Sequence, residues 1–386
     1  MHLQISKHVQ YVGSIDWDRR IFDQLISIPY GTTYNSYLLQ GSEKTAIIDS
    51  VDPTKQADLE NHLSDISHID YIICQHAEQD HSGSIPYLLE KYPDAKVVTN
   101  EKCKGLLMDL LPIPEEAFLV IQDQETLSLG NITLRFLLTP WVHWPETMVT
   151  YYEEEGILFS CDFFGAHVAT SDLFTNSPHS YTNPAKHYFA EIMMPFRTII
   201  QKNLAKIAPL DIRIIAPSHG PIYQDPQLII QSYEEWTSDQ TKPMVIIAYV
   251  SMHDSTKQMV EYVTNRLMAN NIAVKVYNLP KSDIGELATD LVDASSLILA
   301  SPTVLAGAHP EAVYAAFLAN ALRPKLKTIS IIGSFGWGGK MVEQIQSLLP
   351  NLKAEIIEPV LAKGTPKEED FKKLDALVQA FTDKNR

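Results

Sequence analysis

The sequence predicts a two-domain α/β protein, with a first domain over residues 1–242 and a second over residues 243–386. Three observations lead to this prediction. The chain of 386 residues is longer than one hydrophobic core usually supports. In the first part, apolar runs of strand length each precede a potential metal ligand, whereas a regular alternation of strand and helix patterns begins near residue 243. A polar segment that ends at Pro243 separates the two patterns.

A dense group of metal-binding residue types follows the apolar run 71–74 in the first part of the chain. His76, Glu78, Asp80 and His81 all lie within six residues. Clustered imidazoles and carboxylates are unfavourable unless a cation neutralises them, because charged groups lose hydration when they are buried. The motif therefore predicts a metal site at the end of a strand.

Three other strand-length runs lead to further candidate ligands. Each candidate lies a few residues beyond its run: His143 after 134–138, Asp162 after 157–159 and His219 after 212–216. Loops that follow strands gather at one rim of a sheet, so ligands from distant parts of the chain can meet there. No catalytic residue is predicted beyond the ligands themselves, which are His76, Glu78, Asp80, His81, His143, Asp162 and His219.

This pattern resembles the metallo-β-lactamase fold, an αββα sandwich whose two-metal site is formed by loops at one edge. Zinc hydrolases of that fold usually read His-x-His-x-Asp-His, whereas Glu78 occupies the third position of the motif here. A carboxylate in place of an imidazole makes the site harder and more negative, which favours iron over zinc. Together with Asp80 and a potentially bridging Asp162, Glu78 predicts a non-haem di-iron centre.

From residue 243 onwards the sequence predicts a doubly wound parallel sheet. Predicted strands cover residues 244–250, 272–277, 296–300, 327–332 and 354–357, and predicted helices cover residues 256–268, 311–322, 341–349 and 368–381. Strands that alternate with helices in this way form a parallel sheet. In such a sheet a ligand binds beyond the carboxyl ends of the strands.

Three loops at those strand ends are the candidate ligand-binding segments. The first is rich in hydroxyls ahead of a helix N-terminus and suits a phosphate, whereas the other two supply glycines and aromatic rings for contact with a flat ring. Because neither a Gly-x-Gly-x-x-Gly nor a P-loop motif is present, the predicted ligand is a mononucleotide. The candidate residues are Ser251, Met252, His253, Asp254, Ser255 and Thr256, then Pro302, Thr303, Val304, Leu305, Ala306 and Gly307, then Ser334, Phe335, Gly336, Trp337 and Gly338.

The three loops resemble the FMN-contacting loops of flavodoxin, and the order of the two domains resembles that of the flavodiiron proteins, also called A-type flavoproteins. The resemblance covers essentially the whole chain and is to the short two-domain form without a fused rubredoxin. It extends to Trp144-Pro145, to Phe-Ser-Cys-Asp at residues 159–162, to Met-Met-Pro-Phe at 193–196, to Pro-Ser-His-Gly at 217–220 and to Gly-Ser-Phe-Gly-Trp-Gly-Gly at 333–339.

The resemblance implies FMN and two iron ions as cofactors, and an enzyme that reduces O₂ to water, NO to N₂O, or both. It also divides the ligands: His76, Glu78 and His143 for the iron nearer the flavin, Asp80, His81 and His219 for the farther iron, and Asp162 as the bridge. It further implies a head-to-tail homodimer or a dimer of dimers, in which the FMN of one protomer lies beside the metal pair of its partner.

Two segments differ from the common family pattern. The second loop lacks the usual pair of asparagines and is similar to that of coenzyme F420H₂ oxidase-type members. A rubredoxin-like protein and reduced coenzyme F420 are therefore both open as the electron donor. The family's Tyr-Tyr-Ala-Asn reads Tyr188-Phe189-Ala190-Glu191 here. If the second tyrosine of the family assists O₂ chemistry by donating a hydrogen bond, Phe189 cannot replace it.

Composition argues against several other classes. The net charge of −16 argues against a nucleic-acid partner, which requires a basic face. No apolar stretch is long enough to span a membrane and the N-terminus lacks the features of a signal peptide, so we expect a cytoplasmic protein. The three cysteines, Cys74, Cys103 and Cys161, are widely spaced and predict neither a disulfide framework nor an iron–sulfur module.

Two other functions fit parts of the pattern. A zinc-dependent hydrolase with a flavodoxin-like appendage would use a metal-bound hydroxide on an ester, an amide or a phosphodiester. A non-catalytic flavin electron carrier would contain a vestigial metal site, although the completeness of the seven-residue set argues against it. Metal content, flavin content and the need for a reductant distinguish these functions from a di-iron reductase.

Overall fold

The computed structural model describes residues 3–22, 24–175 and 181–385, and the chain divides into two compact units. Unit 1 comprises Met1–Phe189 and Phe196–Thr237, and unit 2 comprises Ala190–Pro195 and Ser238–Arg386. The short segment Ala190–Pro195 therefore groups with the C-terminal part of the chain, although it precedes residue 243 in the sequence. Each unit has its own sheets and its own hydrophobic core.

Unit 1 contains sixteen described strands and seven described α-helices. The strands are β1 Leu3–Gln4, β2 Val9–Tyr11, β3 Ser14–Asp16, β4 Ile21–Phe22, β5 Ile26–Ser27, β6 Thr32–Tyr34, β7 Tyr37–Gln40, β8 Thr45–Ile48, β9 Tyr71–Ile73, β10 Lys96–Asn100, β11 Phe118–Ile121, β12 Thr126–Ser128, β13 Thr133–Leu138, β14 Met148–Tyr152, β15 Ile157–Cys161 and β16 Ile214–Pro217. The helices are α1 Gln56–His62, α2 Gln79–Ser82, α3 Ile85–Lys91, α4 Glu101–Leu110, α5 Thr182–Tyr188, α6 Arg197–Ile207 and α7 Gln227–Thr237.

Two sheets of unit 1 pack face to face. The first has the order β1-β2-β7-β8-β9-β10-β11 and the second the order β12-β13-β14-β15-β16. Successive side chains of a strand point to opposite faces. Ile73 of β9 therefore shares a core with Phe136 and Phe159 of the second sheet, whereas its neighbour Ile72 packs with Leu107 of α4 on the outer face. This layering confirms the αββα sandwich.

Helices α6 and α7 belong to the outer side of the second sheet. Lys206 of α6 donates a hydrogen bond from Nζ to the carbonyl oxygen of Leu138 in β13 at 2.7 Å. Tyr233 of α7 accepts one from the backbone N–H of Phe164, just after β15, at 3.2 Å. These contacts hold the helices near the strands that precede two of the candidate ligands, namely His143 and Asp162.

The strands that precede the candidate ligands end at one rim of the sandwich. Strand β9 is parallel to its neighbours β8 and β10, and β15 is parallel to β16. The loop after β9 carries the four-residue motif, the loops after β15 and β16 carry Asp162 and His219, and His143 lies in the connection from β13 to β14. The structure therefore places all seven residues in segments that follow strands.

Unit 2 contains one mainly parallel sheet with helices on both faces. Its elements are β17 Lys242–Tyr249, α8 Ser255–Ala269, β18 Ala273–Asn278, α9 Ile284–Leu291, β19 Ala294–Val304, β20 Gly307–Ala308, α10 Pro310–Leu322, β21 Thr328–Phe335, α11 Met341–Ser347, β22 Glu355–Ile356, β23 Val360–Lys363 and α12 Glu368–Lys384. The strand order is β18-β17-β19-β21, and both β22 and β23 pair with β21.

The order of these strands confirms the doubly wound sheet. Counted along the chain it is 2-1-3-4-5, with the fifth position split between β22 and β23. This is the order of flavodoxin-like folds, in which the ligand binds beyond the carboxyl ends of the strands, at the switch point between strands one and three. The sequence prediction missed α9 and β23 and placed the fifth strand on residues 354–357.

No helix in the described ranges combines the length and the apolar character needed to cross a lipid bilayer.

Candidate metal centre

All seven candidate ligands meet at one point of unit 1. His76 follows β9, Glu78 precedes the first turn of α2, and α2 itself carries Asp80 and His81. The other three come from separate loops, and every one of the seven side chains directs a nitrogen or oxygen towards the others. The structure therefore assembles the complete set from four strand ends.

One half of the centre is formed by His76, Glu78 and His143. Glu78 Oε2 lies 3.0 Å from His76 Nε2 and 3.2 Å from His143 Nε2. Asp162 Oδ2 lies 3.5 Å from His76 Nε2 and 3.4 Å from His143 Nε2. Two imidazole nitrogens and two carboxylate oxygens thus face a common point.

The other half is formed by Asp80, His81 and His219. Asp80 lies 3.4 Å from His81 Nε2 through Oδ1 and 3.1 Å from His219 Nε2 through Oδ2. Asp162 Oδ1 lies 3.1 Å from His81 Nε2 and 3.4 Å from His219 Nε2. Asp162 therefore offers one oxygen to each half, which is the arrangement expected of a bridging carboxylate.

The other ring nitrogen of three histidines contacts a different group in each case. His76 Nδ1 lies 2.8 Å from Glu146 Oε1, His219 Nδ1 lies 2.6 Å from the carbonyl oxygen of Thr33, and His81 Nδ1 lies 3.9 Å from Cys161 Sγ. An acceptor at Nδ1 keeps the proton there and leaves the Nε2 lone pair free for a metal. The three rings are therefore oriented as metal ligands.

Several polar atoms of the centre are buried without a hydrogen-bond partner among the described residues. These atoms are both carboxylate oxygens of Asp80, both of Asp162, and Nε2 of His81. Although imidazole nitrogens lie near these oxygens, they are not aligned for hydrogen bonding. An unsatisfied buried carboxylate is costly, and in native proteins it calls for an ion or another partner. A cation at each half would satisfy these atoms.

Opposite charges perturb the ionisation of these groups strongly. Burial alone would raise the pKa of Asp162, but the imidazoles of His81, His143 and His219 hold it well below its usual range. Burial lowers the pKa of His219, but the Asp162 and Asp80 carboxylates outweigh burial and raise it to about 10. The centre is thus a set of anionic carboxylates that attract positive charge.

Access to the centre is unequal. The side chains of Glu78 and His143 are 14% and 15% exposed, whereas His76 is fully buried. In the other half, the side chains of His219 and Asp80 are only 2% and 4% exposed. A small molecule therefore reaches the centre from the side of Glu78 and His143.

The loops that carry the ligands are fastened to one another. Cys161, directly before Asp162, has a left-handed backbone with φ of 53°, and its carbonyl oxygen accepts a hydrogen bond from Ser218 N at 2.8 Å. Gly220, directly after His219, has φ of 79°, and a Cβ there would lie 2.8 Å from the carbonyl oxygen of Ala166. These close approaches keep Asp162 and His219 side by side.

The sequence prediction missed two buried carboxylates that orient the ligands. Asp49 accepts hydrogen bonds from Gln75 N at 2.8 Å and from Ser218 Oγ at 3.2 Å, next to His76 and His219 in the chain. Glu146 accepts from His76 Nδ1. Asp49 directly follows the apolar run 46–48, the same kind of signal that the ligands gave, whereas the available hint for Glu146 was its position three residues after His143.

Tyr188 and Phe189 are neighbours in the chain but lie in different surroundings. Phe189 does not border the centre, because its ring lies among Tyr233 and Trp236, at 5.3 and 5.4 Å between ring centroids. Tyr188 lies beside the centre instead, with its ring centroid 5.9 Å from that of His219. Burial and the Asp162 carboxylate raise the pKa of Tyr188 well above its usual value, so its hydroxyl stays protonated.

The three candidate loops of unit 2 lie at one edge of its sheet, after the adjacent parallel strands β17, β19 and β21. Thr256 Oγ1 and Ser334 Oγ are 3.0 Å apart, so Thr256 links the first loop to the third. The second loop is a hairpin whose Ala306 carbonyl accepts from Lys340 N at 2.8 Å. A Cβ at Gly339 would lie 2.6 Å from Thr303 Cγ2, which requires glycine at this contact between loops.

Comparison with known proteins provides independent information on both units. The family model described as "ODP family beta lactamase" matches residues 32–220. The chain is 34% identical over 383 residues to a nitric oxide reductase of Moorella thermoacetica, covering 96% of this chain and 95% of that protein. It is 32% identical to a coenzyme F420H₂ oxidase of Methanothermobacter marburgensis, covering 90% and 89% of the two chains.

A solved structure gives the same result for the fold. The rubredoxin:oxygen oxidoreductase of Desulfovibrio gigas superimposes with a TM-score of 0.95 at 28% sequence identity. The match covers 100% of this chain and 98% of the other. The similarity therefore extends over both units and not over the metal-centre unit alone.

Proposed function

The chain belongs to the flavodiiron family, also called type A flavoproteins, and we propose that it reduces O₂ to water, NO to N₂O, or both, at a non-haem di-iron site that receives electrons through FMN. The observation that carries this proposal is the position of Asp162, which presents one carboxylate oxygen to each half of the centre. A site for a single metal ion would need only one of these two sets of ligands.

The donor set fits a pair of iron ions. His76, Glu78 and His143 would hold one ion, Asp80, His81 and His219 the other, and Asp162 would bridge them. Three carboxylates among seven ligands make this set harder than the imidazole-rich sets of zinc hydrolases, which favours iron. The unsatisfied oxygens of Asp80 and Asp162 support this assignment, because each would gain a metal partner.

The cofactors divide the chemistry of the reaction. When bound, the iron pair binds the diatomic gas and reduces it, while FMN accepts electrons from the donor and passes them on singly. The edge of the centre at Glu78 and His143, the more exposed of its two halves, would admit the gas. Trp144 stands edge-on to His76, with 5.0 Å between ring centroids, and limits water on that side.

Both reductions consume protons as well as electrons, and Tyr188 is the protein group that we assign to this step. Its hydroxyl is buried and stays protonated at neutral pH, because burial and the Asp162 carboxylate raise its pKa. Tyr188 would therefore hold a proton at Oη beside the bridging carboxylate and direct it to the reacting gas by hydrogen bonding. The neighbouring Phe189 is not needed for this role.

The loops of unit 2 fit FMN. The hydroxyls of Ser251 and Ser255 and the first backbone N–H groups of the fifteen-residue helix α8 would bind the phosphate. The second and third loops would enclose the ring, since Thr303, Phe335 and Gly338 line one cavity of unit 2. The remaining candidates, including Met252, His253, Asp254, Pro302, Val304, Gly307, Ser334 and Gly336, belong to the same three loops.

Exposed apolar side chains support a head-to-tail homodimer or a dimer of dimers. Leu305 and Trp337 of the flavin loops are 99% and 94% exposed. In unit 1, Trp17, Leu25 and Tyr30 are 53%, 60% and 65% exposed. Where exposed apolar side chains form a contiguous patch, they mark an interaction surface. The flavin loops of one protomer would cover this surface of its partner and so place FMN near the partner's irons.

The electron donor and the location follow from similar reasoning. We propose a rubredoxin-like protein or reduced coenzyme F420 as the donor, since relatives of this chain are named for each of these donors. We also propose a cytoplasmic protein, because Cys74, Cys103 and Cys161 are all buried free thiols and form no disulfide, as is usual in reducing compartments.

Anaerobic stopped-flow kinetics tests the proposed function. The protein, loaded with iron and FMN, is reduced with dithionite and mixed separately with O₂ and with NO, and reoxidation of the flavin is recorded. We expect rapid reoxidation by at least one gas, its loss in Asp162→Ala, and no change in His68→Ala, which alters an exposed histidine outside the centre. Zinc in place of iron, with ester hydrolysis that needs no reductant, would contradict the proposal.

A further inference from the structure

We propose that Glu146 makes the two iron positions electronically unequal, so that the ion held by His76, Glu78 and His143 is oxidised before the ion held by Asp80, His81 and His219. Glu146 is a positioning residue in this proposal, because it acts through His76 and touches neither metal nor substrate. The inference rests on the proposed di-iron function and adds to it the order in which the two ions are oxidised.

The direct ligands do not distinguish the two positions. Each half has two imidazole Nε2 atoms, one carboxylate of its own, and one oxygen of Asp162. The ligand types and their formal charges are therefore the same on both sides. A built-in difference in redox potential then comes from the groups behind the ligands and from the unequal exposure of the two halves.

The partners of the Nδ1 atoms provide such a difference. His76 Nδ1 faces a carboxylate, Glu146 Oε1, whereas His219 Nδ1 faces a neutral backbone carbonyl, that of Thr33. A carboxylate attracts the Nδ1 proton more strongly than a carbonyl does, because the hydrogen bond is charge-assisted. His76 Nε2 consequently becomes the more basic donor, and a more basic donor stabilises the higher oxidation state of its metal.

The main charged partner of Glu146 in the described part of the chain is His76, and the Glu146 side chain is fully buried. Oε1 also accepts a hydrogen bond from Ala77 N at 3.1 Å, while Oε2 is buried without a partner in the described part of the chain. In these water-poor surroundings the interaction is screened little and acts at full strength.

Asp49 is a second buried carboxylate and lies near His81, so it could offset the effect of Glu146. It differs in two respects. Asp49 accepts hydrogen bonds from Gln75 N, Gln75 Nε2 and Ser218 Oγ. These three donors stabilise its negative charge and so reduce its effect on His81. His81 Nδ1 lies 3.9 Å from the sulfur of Cys161, which is a weak acceptor, and an oxygen of Asp49 lies within 4.8 Å of a His81 ring nitrogen but forms no hydrogen bond with it. We therefore expect Glu146 to have the larger effect.

A redox titration of the Glu146→Gln protein, loaded with iron and FMN, tests this inference. Electron paramagnetic resonance measures the state that contains one ferric and one ferrous ion. Gln keeps the size of the side chain but removes its charge. The potential of the first one-electron oxidation of the iron pair should therefore rise and approach the potential of the second. One equilibrium constant compares the half-oxidised state with the states in which both ions are ferrous or both are ferric. We expect this constant to fall by about 10-fold or more.

The controls separate this inference from the proposed function. Cys161→Ala alters the Nδ1 partner of His81 and should leave a much larger share of the half-oxidised state than Glu146→Gln does. If Glu146→Gln keeps both irons and titrates like the unaltered protein, the inference is overturned while the di-iron function stands. If the unaltered protein binds no iron pair, the proposed function itself fails.

A variant with a shorter carboxylate covers the case in which Glu146→Gln does not retain iron. Glu146→Asp keeps the charge but withdraws it from His76 Nδ1. The half-oxidised state should then be populated over a narrower range of potential than in the unaltered protein. An unchanged range in Glu146→Asp would overturn the inference.

Discussion

Asp49 and Ser218 are joined by a hydrogen bond of 3.2 Å between the Ser218 hydroxyl and Asp49 Oδ2. The same carboxylate accepts hydrogen bonds from the backbone and the side chain of Gln75, at 2.8 and 2.9 Å. Gln75 directly precedes His76, and Ser218 directly precedes His219. One buried carboxylate therefore sets the spacing of two loops that carry ligands for opposite halves of the centre.

We expect Asp49→Ala to weaken iron binding by about 10- to 100-fold, the range found when a group that orients metal ligands is removed. Competition with a chelator measures this change. Asp70→Ala is a suitable control, because Asp70 also adjoins a strand, directly before β9, but its carboxylate contacts Lys44, Thr45 and His68, away from the centre. Equal iron affinity in Asp49→Ala and the unaltered protein would refute the role of Asp49.

The second prediction compares Asp162, which faces both halves of the centre, with Asp80, which faces only one. Asp162→Ala should lose both irons, because each half loses one oxygen and the link to its neighbour. Asp80→Ala should lose mainly the iron of its own half, since Asp80 faces His81 and His219 but no ligand of the other half. Metal analysis combined with Mössbauer spectra distinguishes the two outcomes. Equal iron loss in both variants would show that Asp162 does not bridge.

The third prediction concerns the aromatic pair at the end of α5. Tyr188→Phe should slow reduction of the gas without loss of iron, because it removes a protonated hydroxyl beside Asp162 but keeps the ring. Phe189→Ala should instead lower the free energy of unfolding by about 3–5 kcal/mol, since Phe189 is fully buried among Tyr233 and Trp236. Stopped-flow rates and denaturant unfolding provide the two readouts.

Reversed results would contradict this division of roles. If Tyr188→Phe turned over as fast as the unaltered protein, the hydroxyl would not take part in proton delivery. If a conservative change at Phe189, such as Phe189→Leu, slowed turnover with little loss of stability, Phe189 rather than Tyr188 would act at the centre.

The direct ligands could be predicted from sequence because each lies next to a strand that the sequence reveals. The four-residue motif follows β9, and Asp162 follows β15 without a gap. Glu146 lies in the loop before β14 and not at the end of a strand. Asp49 does follow a strand directly, β8, but it stands apart in the sequence from every metal-ligand candidate. Glu146 is 70 residues from His76, and Asp49 is 169 residues from Ser218, so their roles exist only after the chain has folded.

Other misses have local causes. Helix α9 is short and has Gly285 near its start, which weakens the helical pattern, although the Asp283 side chain accepts a hydrogen bond from Gly285 N at its N-terminus. The orientation of Phe189 was not predictable from helical periodicity, because α5 is followed by a π-helical turn over Phe189–Met193. Such a turn rotates the side chains that follow it away from the 3.6-residue pattern.

The last prediction concerns Leu305 and Ala306, which form the tip of the second flavin loop between the paired residues Val304 and Gly307. Both have left-handed backbones, with φ of 49° and 64°, in a two-residue hairpin turn that favours Asn-Gly. Non-glycine residues in this region cost about 1 kcal/mol or more each. The exposed Leu305 side chain makes no compensating contact within its own unit.

If this strain is kept because Leu305 contacts a second protomer, stability and assembly should respond in opposite directions. The double variant Leu305→Asn with Ala306→Gly should raise the free energy of unfolding by about 1–2 kcal/mol and weaken the dimer. Leu305→Ala should weaken the dimer with little change in unfolding. Denaturant unfolding at several protein concentrations and light scattering measure the two quantities.

Met268 is a matched control for these variants. It is 59% exposed on α8 and lies outside the flavin loops, so Met268→Ala should leave both assembly and unfolding unchanged. A double variant that is more stable and dimerises as tightly as the unaltered protein would mean that the Leu305 side chain is not part of the interface. In that case the strained turn would have a role in FMN binding only. The hydrogen bond from Lys340 N to Ala306 O holds the hairpin rigid, and the hairpin would form part of the wall of the FMN site.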